Sequence, residues 1–331
     1  MLNAAVIGTG FIGSVHAKNF ARHPNVKLVA VSDVNIESAN RIAAATGAKA
    51  VPNADEILND HDIQAVLIAT STDTHVDYLE RAAKAGKAIY CEKPIALDYA
   101  EAEKAVRTVR ATGVPVMLGF NRRFDASHAA LRETVVRGGI GKIEIVQLTN
   151  RGPKPPPISY VKVSGGQMRD QTIHFFDMLR WLTNDEPIDL YAVGAALVDP
   201  AIGEAGDVDT SIVSLRMASG ALCQIDSSRR TAYGYDERVE VFGSEGMIES
   251  TRQSFRGVSL YQDCQVHRDG MYPGWFERIE QSYYEAIDVF LKAIESKNPP
   301  NPSLEDGLKA QLIADKATES MRTGQPVKIS T

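Results

Sequence analysis

The chain is poor in cysteine and has no long apolar run. Only Cys91, Cys223 and Cys264 occur among 331 residues. They lie far apart and outside any C-x-x-C pair, which excludes a secreted disulfide framework and a thiolate zinc site. No apolar run approaches the roughly 20 residues that a membrane span needs. Excess positive charge is also missing. The 36 basic and 42 acidic side chains leave a net charge of −6, so there is no electrostatic reason to approach nucleic acid or an anionic membrane. Internal repeats and low-complexity tracts are absent. What is present is ordinary: 44% hydrophobic, 24% charged and 7% aromatic residues exclude disorder, collagen and coiled coil. At about 150 residues per domain the length implies two domains. The N-terminal segment has no basic region, and Gly8, Gly10 and Gly13 interrupt its apolar run, so it does not read as a signal peptide. A cytoplasmic protein with an intact N-terminus and a small-molecule partner is expected.

The first third alternates short β-branched runs with stretches of helical period, which is how parallel βαβ units read. Strands are predicted at Ala4–Ile7, Val26–Val31, Ala65–Ala69, Ala88–Cys91 and Pro115–Leu118, with helices at Ile12–Arg22, Ile36–Thr46, Thr74–Ala85 and Tyr99–Thr112. A right-handed doubly wound sheet follows. After about residue 120 the pattern changes. Arg151 to Ser159 holds four prolines in nine residues, too many for a helix or a central strand, and reads as a surface loop or lid. One amphipathic helix is expected from Gly166 to Thr183. Consecutive strand-like runs then appear at Ile188–Val198, Ser211–Met217, Ala221–Ser227, Arg238–Phe242 and Met247–Glu249, before closing helices at Phe276–Ser296 and Leu304–Thr323. The fold class read from this order is α/β: an N-terminal Rossmann doubly wound sheet over residues 1–120, plus a C-terminal α+β domain over 121–331 with an open-faced, mainly antiparallel sheet.

Three constellations carry chemistry. Gly8-Thr9-Gly10-Phe11-Ile12-Gly13 lies between the first strand and the first helix. Its glycines permit a tight turn, close approach of a pyrophosphate and close helix–strand packing. The positive end of the helix favours the phosphates. Asp33, twenty residues after Gly13, ends the second strand, where a carboxylate accepts hydrogen bonds from the adenosine ribose and repels a 2′-phosphate. Neither Val34 nor Asn35 supplies a guanidinium, so NAD is expected over NADP. The second constellation is Cys91-Glu92-Lys93-Pro94, ending the fourth strand, where Lys93 would face the cofactor crevice or, in the plainer reading, be a solvated lysine before a turn. The third runs from Gly165-Gly166 through Asp170 and His174 to Asp177. Spacings of four and three place these side chains on one helix face. A carboxylate beside an imidazole makes a general base, although an ordinary surface pair has the same spacing. No H-E-x-x-H or comparable ligand spacing occurs, so no metal is expected.

These motifs, in this order and over essentially the whole chain, resemble the Gfo/Idh/MocA oxidoreductases. Within that family Gly119-Phe120-Asn121-Arg122-Arg123-Phe124-Asp125 and Tyr233-Gly234-Tyr235-Asp236 are most similar to inositol 2-dehydrogenases, which use NAD to oxidise a ring hydroxyl of myo-inositol to a ketone. The resemblance implies Lys93, Asp170 and His174 as catalytic residues. It implies Gly8, Gly10, Phe11, Ile12, Gly13, Asp33, Thr70, Glu92 and Lys93 as cofactor contacts. Substrate contacts would come from Lys93, Arg123, Asp170, His174 and one of Tyr233 and Tyr235. It also implies a homotetramer. Two other functions compete: an NAD-dependent aldose dehydrogenase, because pyranoses and polyols present similar rings of hydroxyls, and a non-catalytic nucleotide-binding sensor, against which the intact Lys93, Asp170 and His174 argue. A glucose–fructose oxidoreductase holding NADP is disfavoured by Asp33 and by the absence of a twin-arginine signal.

Overall fold

Short apolar runs form the first strands, and amphipathic segments return the chain between them. In a computed structural model describing residues 1–329, the order is β1 (Leu2–Ile7), α1 (Phe11–Arg22), β2 (Val26–Ser32), α2 (Ile36–Thr46), β3 (Lys49–Val51), α3 (Ala54–Asn59), β4 (Ala65–Ile68), α4 (His75–Lys84), β5 (Ala88–Cys91), α5 (Tyr99–Arg110) and β6 (Val116–Leu118). The strands make one parallel sheet in the order β3-β2-β1-β4-β5-β6. The order reverses between β1 and β4, and ligands of doubly wound sheets bind outside the strand ends at such a point. β4, β5 and β6 are buried at every residue, as expected where helices cover both faces. α2 begins at Asn35, whose side chain accepts from the N–H groups of Glu37 and Ser38. β3 and α3 are additions to the predicted pattern; at three and six residues they are too short for periodicity to reveal.

The chain continues through α6 (Ala126–Val136), β7 (Ile143–Arg151), α7 (Ile158–Val161), α8 (Ile173–Thr183), β8 (Pro187–Ala195), α9 (Pro200–Glu204), β9 (Thr210–Met217), β10 (Leu222–Ser228), β11 (Asp236–Gly243), β12 (Gly246–Ser250), β13 (Ser259–Gln262), β14 (Gln265–Arg268), α10 (Trp275–Ser296), α11 (Leu304–Thr323) and β15 (Val327–Lys328). A seven-stranded sheet has the order β12-β11-β7-β10-β9-β8-β15. Its pairs are antiparallel except for β7 with β10, so the mainly antiparallel sheet is observed with one parallel pair inside it. One face buries Val213, Leu215, Ile225 and Val241. On the other, the register sets exposed Phe242 beside Ile145 and Ile145 beside Leu222. That is the open face.

Two compact units result, each built from two stretches of chain: Met1–Phe124 with Gln281–Lys309, and Asp125–Glu280 with the chain from Ala310 onward. This differs from the single expected boundary at residue 120. Ala286, Ile287, Phe290 and Leu291 of α10 share one core with Ala4, Val6, Phe20 and Leu28. The apolar stripe of α10 shows that the helix is buried on one side; it does not show which sheet it covers.

Candidate active site

In the first unit, Gly8 follows β1 with φ +93°, and a Cβ there would fall 2.5 Å from the carbonyl oxygen of Ala69. A Cβ on Gly13 would lie 2.0 Å from the Gly8 oxygen, so only glycines allow this turn to pack. Gly10 faces open space. It caps α1 without a side chain, and the first turn of that helix holds no acid. The helix N-terminus is therefore a cradle for an anion that the chain does not fill itself. Phe11 beside it is 60% exposed. Asp33 Oδ2 accepts from the Thr9 N–H at 2.6 Å and from Thr9 Oγ1 at 3.0 Å, and Oδ1 accepts from the Asn35 N–H at 2.8 Å. A carboxylate has about four acceptor sites, so roughly one stays available for a ribose hydroxyl. These residues fit a dinucleotide. Arg41 of α2 escaped the sequence reading. Its Nη2 donates to Ser38 Oγ at 3.0 Å, and that hydroxyl lies 3.0 Å from Thr9 Oγ1.

The turn after β5 carries Glu92, Lys93 and a cis Lys93–Pro94 peptide. Glu92 Oε1 lies 2.7 Å from Nε2 of His16, a fully buried histidine of α1, whose ring packs on Tyr90 and Tyr283. The Glu92 carboxylate is thus aimed at α1. His75, which opens α4, places Nδ1 2.8 Å from the Pro94 carbonyl oxygen and Nε2 3.2 Å from that of Thr70. The thiol of Cys91 is completely buried and burial pushes its pKa well up, which makes it a core sulfur. Arg123, expected at substrate, is buried with its guanidinium on Asp306 at 3.0 Å and on Asn301 Oδ1 at 2.7 Å. Asn121 is also buried and donates to Ser282 Oγ. Asn121 thus ties the turn after β6 to α10, and Arg123 ties it to the α10–α11 connection and the start of α11, uses that sequence spacing cannot disclose.

In the second unit the expected helix runs unbroken from Gly166 to Thr183 but is widened inside. Met168–Thr172 forms a π-helical turn that runs into α8, a widened geometry common at functional sites. Gly165 and Gly166 lead in with φ of 80° and 84°. A Cβ on Gly166 would come within 2.9 Å of Asp207 Oδ1, the atom that accepts the Gln167 N–H at 3.0 Å. Asp170 sits in the widened turn. Its Oδ1 accepts from the Tyr160 hydroxyl at 2.9 Å and its Oδ2 from Arg229 Nη1 at 3.1 Å. Arg229 is only 4% exposed and also faces Asp207 at 3.7 Å. His174 follows one turn later and is buried, like Ile173, Phe175 and Phe176 along the same helix. Tyr160 and Arg229 were not found from sequence. Tyr160 lies beyond the proline run and Arg229 is 59 residues from Asp170, so no local spacing links them to it.

The tyrosine pair separates clearly. Tyr235 is buried with its hydroxyl on Glu237. Tyr233 is 47% exposed; its hydroxyl donates to Asp236 Oδ2 at 2.9 Å and accepts from Arg151 Nη1 at 3.4 Å. Only Tyr233 presents ring surface to solvent.

The reversed parallel sheet, the glycine turn with its acidic neighbour and the lysine turn beyond β5 define a nicotinamide-dependent oxidoreductase. Residues 2–120 match the model of an oxidoreductase family described by its NAD-binding Rossmann fold, and residues 128–249 match a GFO/IDH/MocA C-terminal domain. The chain belongs to the Gfo/Idh/MocA oxidoreductase family. It is 42% identical over 325 residues to the inositol 2-dehydrogenase of Rhizobium meliloti, covering 98% of each chain. It is 41% identical over 330 residues to the myo-inositol 2-dehydrogenase of Thermotoga maritima, covering 99% of this chain and 98% of that one. A myo-inositol dehydrogenase from Corynebacterium glutamicum superposes with a TM-score of 0.95 at 37% identity, over 100% and 99% of the two chains. The scyllo-inositol dehydrogenase of Lactobacillus casei, solved with NAD(H) and scyllo-inositol, gives 0.93 at 26% over the whole of both.

Proposed function

We propose that the enzyme oxidises a secondary ring hydroxyl of a cyclic polyol, myo-inositol or scyllo-inositol, to the ketone. The observation that carries this reading is end-to-end similarity to inositol 2-dehydrogenases at 41–42% identity, with Lys93, Asp170 and His174 at the matching motif positions. NAD, when bound, supplies the hydride acceptor. The pyrophosphate would rest on Gly8, Gly10 and Gly13 at the start of α1, between Phe11 and Ile12, with the adenosine ribose on Asp33. Thr70 and Glu92 belong to the strand-end turns that border the same sheet edge. His174 takes the hydroxyl proton as general base. Asp170 orients His174 and stabilises its protonated form, itself gripped by Tyr160 and Arg229. Lys93 hydrogen-bonds the reacting oxygen and offsets its developing negative charge. Tyr233 is the tyrosine assigned to substrate, because its ring is the exposed one.

Absorbance of the reduced nicotinamide tests this with NAD and NADP against myo-inositol, scyllo-inositol, D-glucose, L-glucose and D-xylose at alkaline pH. A rate with NAD and an inositol is expected. A faster rate with a sugar would reassign the substrate to the aldose class. Two further properties belong to the proposal. The enzyme works as a homotetramer, with a second copy covering the open sheet face, and it resides in the cytoplasm, where Cys91, Cys223 and Cys264 stay free thiols. Among the described residues no helix is long and apolar enough to cross a membrane.

A further inference from the structure

The turn that carries Lys93 is anchored on both flanks by buried histidines from different helices. His16 of α1 grips Glu92 before it, and His75 of α4 reaches Pro94 after it. His75 does more than fill space. Its two ring nitrogens face two backbone carbonyl oxygens, those of Pro94 and Thr70, in the turns that follow neighbouring β5 and β4. The ring is 1% exposed. We propose that His75 is a positioning residue for Lys93: its Nδ1–H, donated to the Pro94 carbonyl, fixes the Glu92-Lys93-Pro94 turn at the height from which the lysine serves the reaction. This inference rests on the assignment of Lys93 to the chemistry. Burial lowers the His75 pKa below 6.5, against the raising effect of its bonds to Pro94 and Thr70, so at neutral pH the ring holds one proton for two carbonyls. The shorter contact, 2.8 Å against 3.2 Å, gives that proton to Nδ1. The approach to Thr70 is then packing rather than a bond. A small displacement of a catalytic group is enough to cost about 10²-fold in rate, which is why such a tie matters to turnover.

The two amide substitutions divide the ring's functions. In His75→Asn the amide nitrogen replaces Nδ1 and keeps a donor for Pro94; in His75→Gln it replaces Nε2 and keeps one for Thr70. Turnover is measured per NADH-binding site, titrated by nucleotide fluorescence, so that loss of folded protein does not register as loss of rate. Lys93→Ala is measured alongside. The inference expects Lys93→Ala to lose about 10²-fold or more in kcat. It expects His75→Gln to lose about tenfold or more with the KM for NAD within twofold, and His75→Asn to recover most of that loss. If Lys93→Ala is crippled while both histidine variants stay within threefold of the parent, or fall equally, the positioning function is overturned and the Lys93 assignment stands. Parental turnover in Lys93→Ala would remove the assignment and the inference together. Should His75→Gln fail to fold, His75→Leu, which offers no donor to Pro94, takes its place beside His75→Asn: a loss of about tenfold in the leucine variant alone upholds the tie, and equal rates in the two overturn it.

Discussion

Each assigned side chain is defined by what holds it. His174 is only 6% exposed on α8, one turn beyond Asp170, and in the proposed reaction it takes the proton of the substrate hydroxyl. His174→Ala is expected to lower kcat by about 10²-fold or more while NADH binding, followed by fluorescence, stays nearly parental; unchanged turnover would remove it from the mechanism. Asp170 is gripped from two sides, and the two grips differ in kind. Arg229 is a buried guanidinium facing the half-buried carboxylates of Asp170 and Asp207, so Arg229→Met takes the shared cation away from both. A loss of about 3–5 kcal/mol is expected in denaturant melts, together with a fall in kcat. Tyr160 is 46% exposed, and Tyr160→Phe removes one hydrogen bond at a wet position, so the same melts should show a loss of no more than about 1 kcal/mol. At the cofactor turn, Asp33 repels a 2′-phosphate while Arg41 lies three hydrogen bonds behind it through Thr9 and Ser38. Asp33→Ser should therefore raise kcat/KM with NADP relative to NAD, measured by competing initial rates.

At the scale of elements, the π-helical turn and the α10–α11 connection are each set by a few contacts. Gly166 has left-handed φ and lies against Asp207. Gly166→Ala is expected to cost about 1–3 kcal/mol from backbone strain alone, more if Asp207 must release Gln167, and kcat should fall with stability because Asp170 lies in the same turn. The connection between α10 and α11 is tied by Arg123 to Asp306. Burial pushes the Asp306 carboxyl up, but Arg123 and the Ser303 hydrogen bonds outweigh it and hold the pKa at about 2 against an ordinary 3.8. A depressed carboxyl stabilises the folded state fully above its unfolded value, so this contribution is complete above about pH 4 and is lost as pH falls toward 2. Arg123→Gln should flatten that part of the acid-stability curve, read by thermal melts from pH 5 to pH 2. These elements also mark where sequence reading stopped. The spacing of Asp170 and His174 placed both on a helix, but the widening of that helix and the hold of Asp207, 40 residues from Gln167, on its entry leave no local pattern.

For the whole molecule, the open sheet face sets the prediction. Phe242, Ile145 and Leu222 form a row across β11, β7 and β10, each at least 40% exposed, and an apolar row on a central sheet surface is poorly suited to water. A tetramer is expected by light scattering at micromolar concentration, and Leu222→Glu should shift it to smaller species with each subunit still folded. A monomeric parent would count against the proposed assembly.

The sequence by itself determined the alternating parallel sheet, because side chains buried on both faces must be continuously apolar. It also determined the glycine turn, because that backbone excludes a Cβ, and the motif positions of Lys93, Asp170 and His174, because local spacing specifies a helix face or a strand end. Only the tertiary structure decided that residues 281–309 join the first core, that Arg123 meets Asp306, that Tyr235 is hidden while Tyr233 is exposed, that His16 meets Glu92 and His75 meets Pro94, and that Tyr160 and Arg229 meet Asp170. Each of these depends on contacts between segments distant in the chain, and an amphipathic helix or a lone charged residue carries no local record of the partner it will meet.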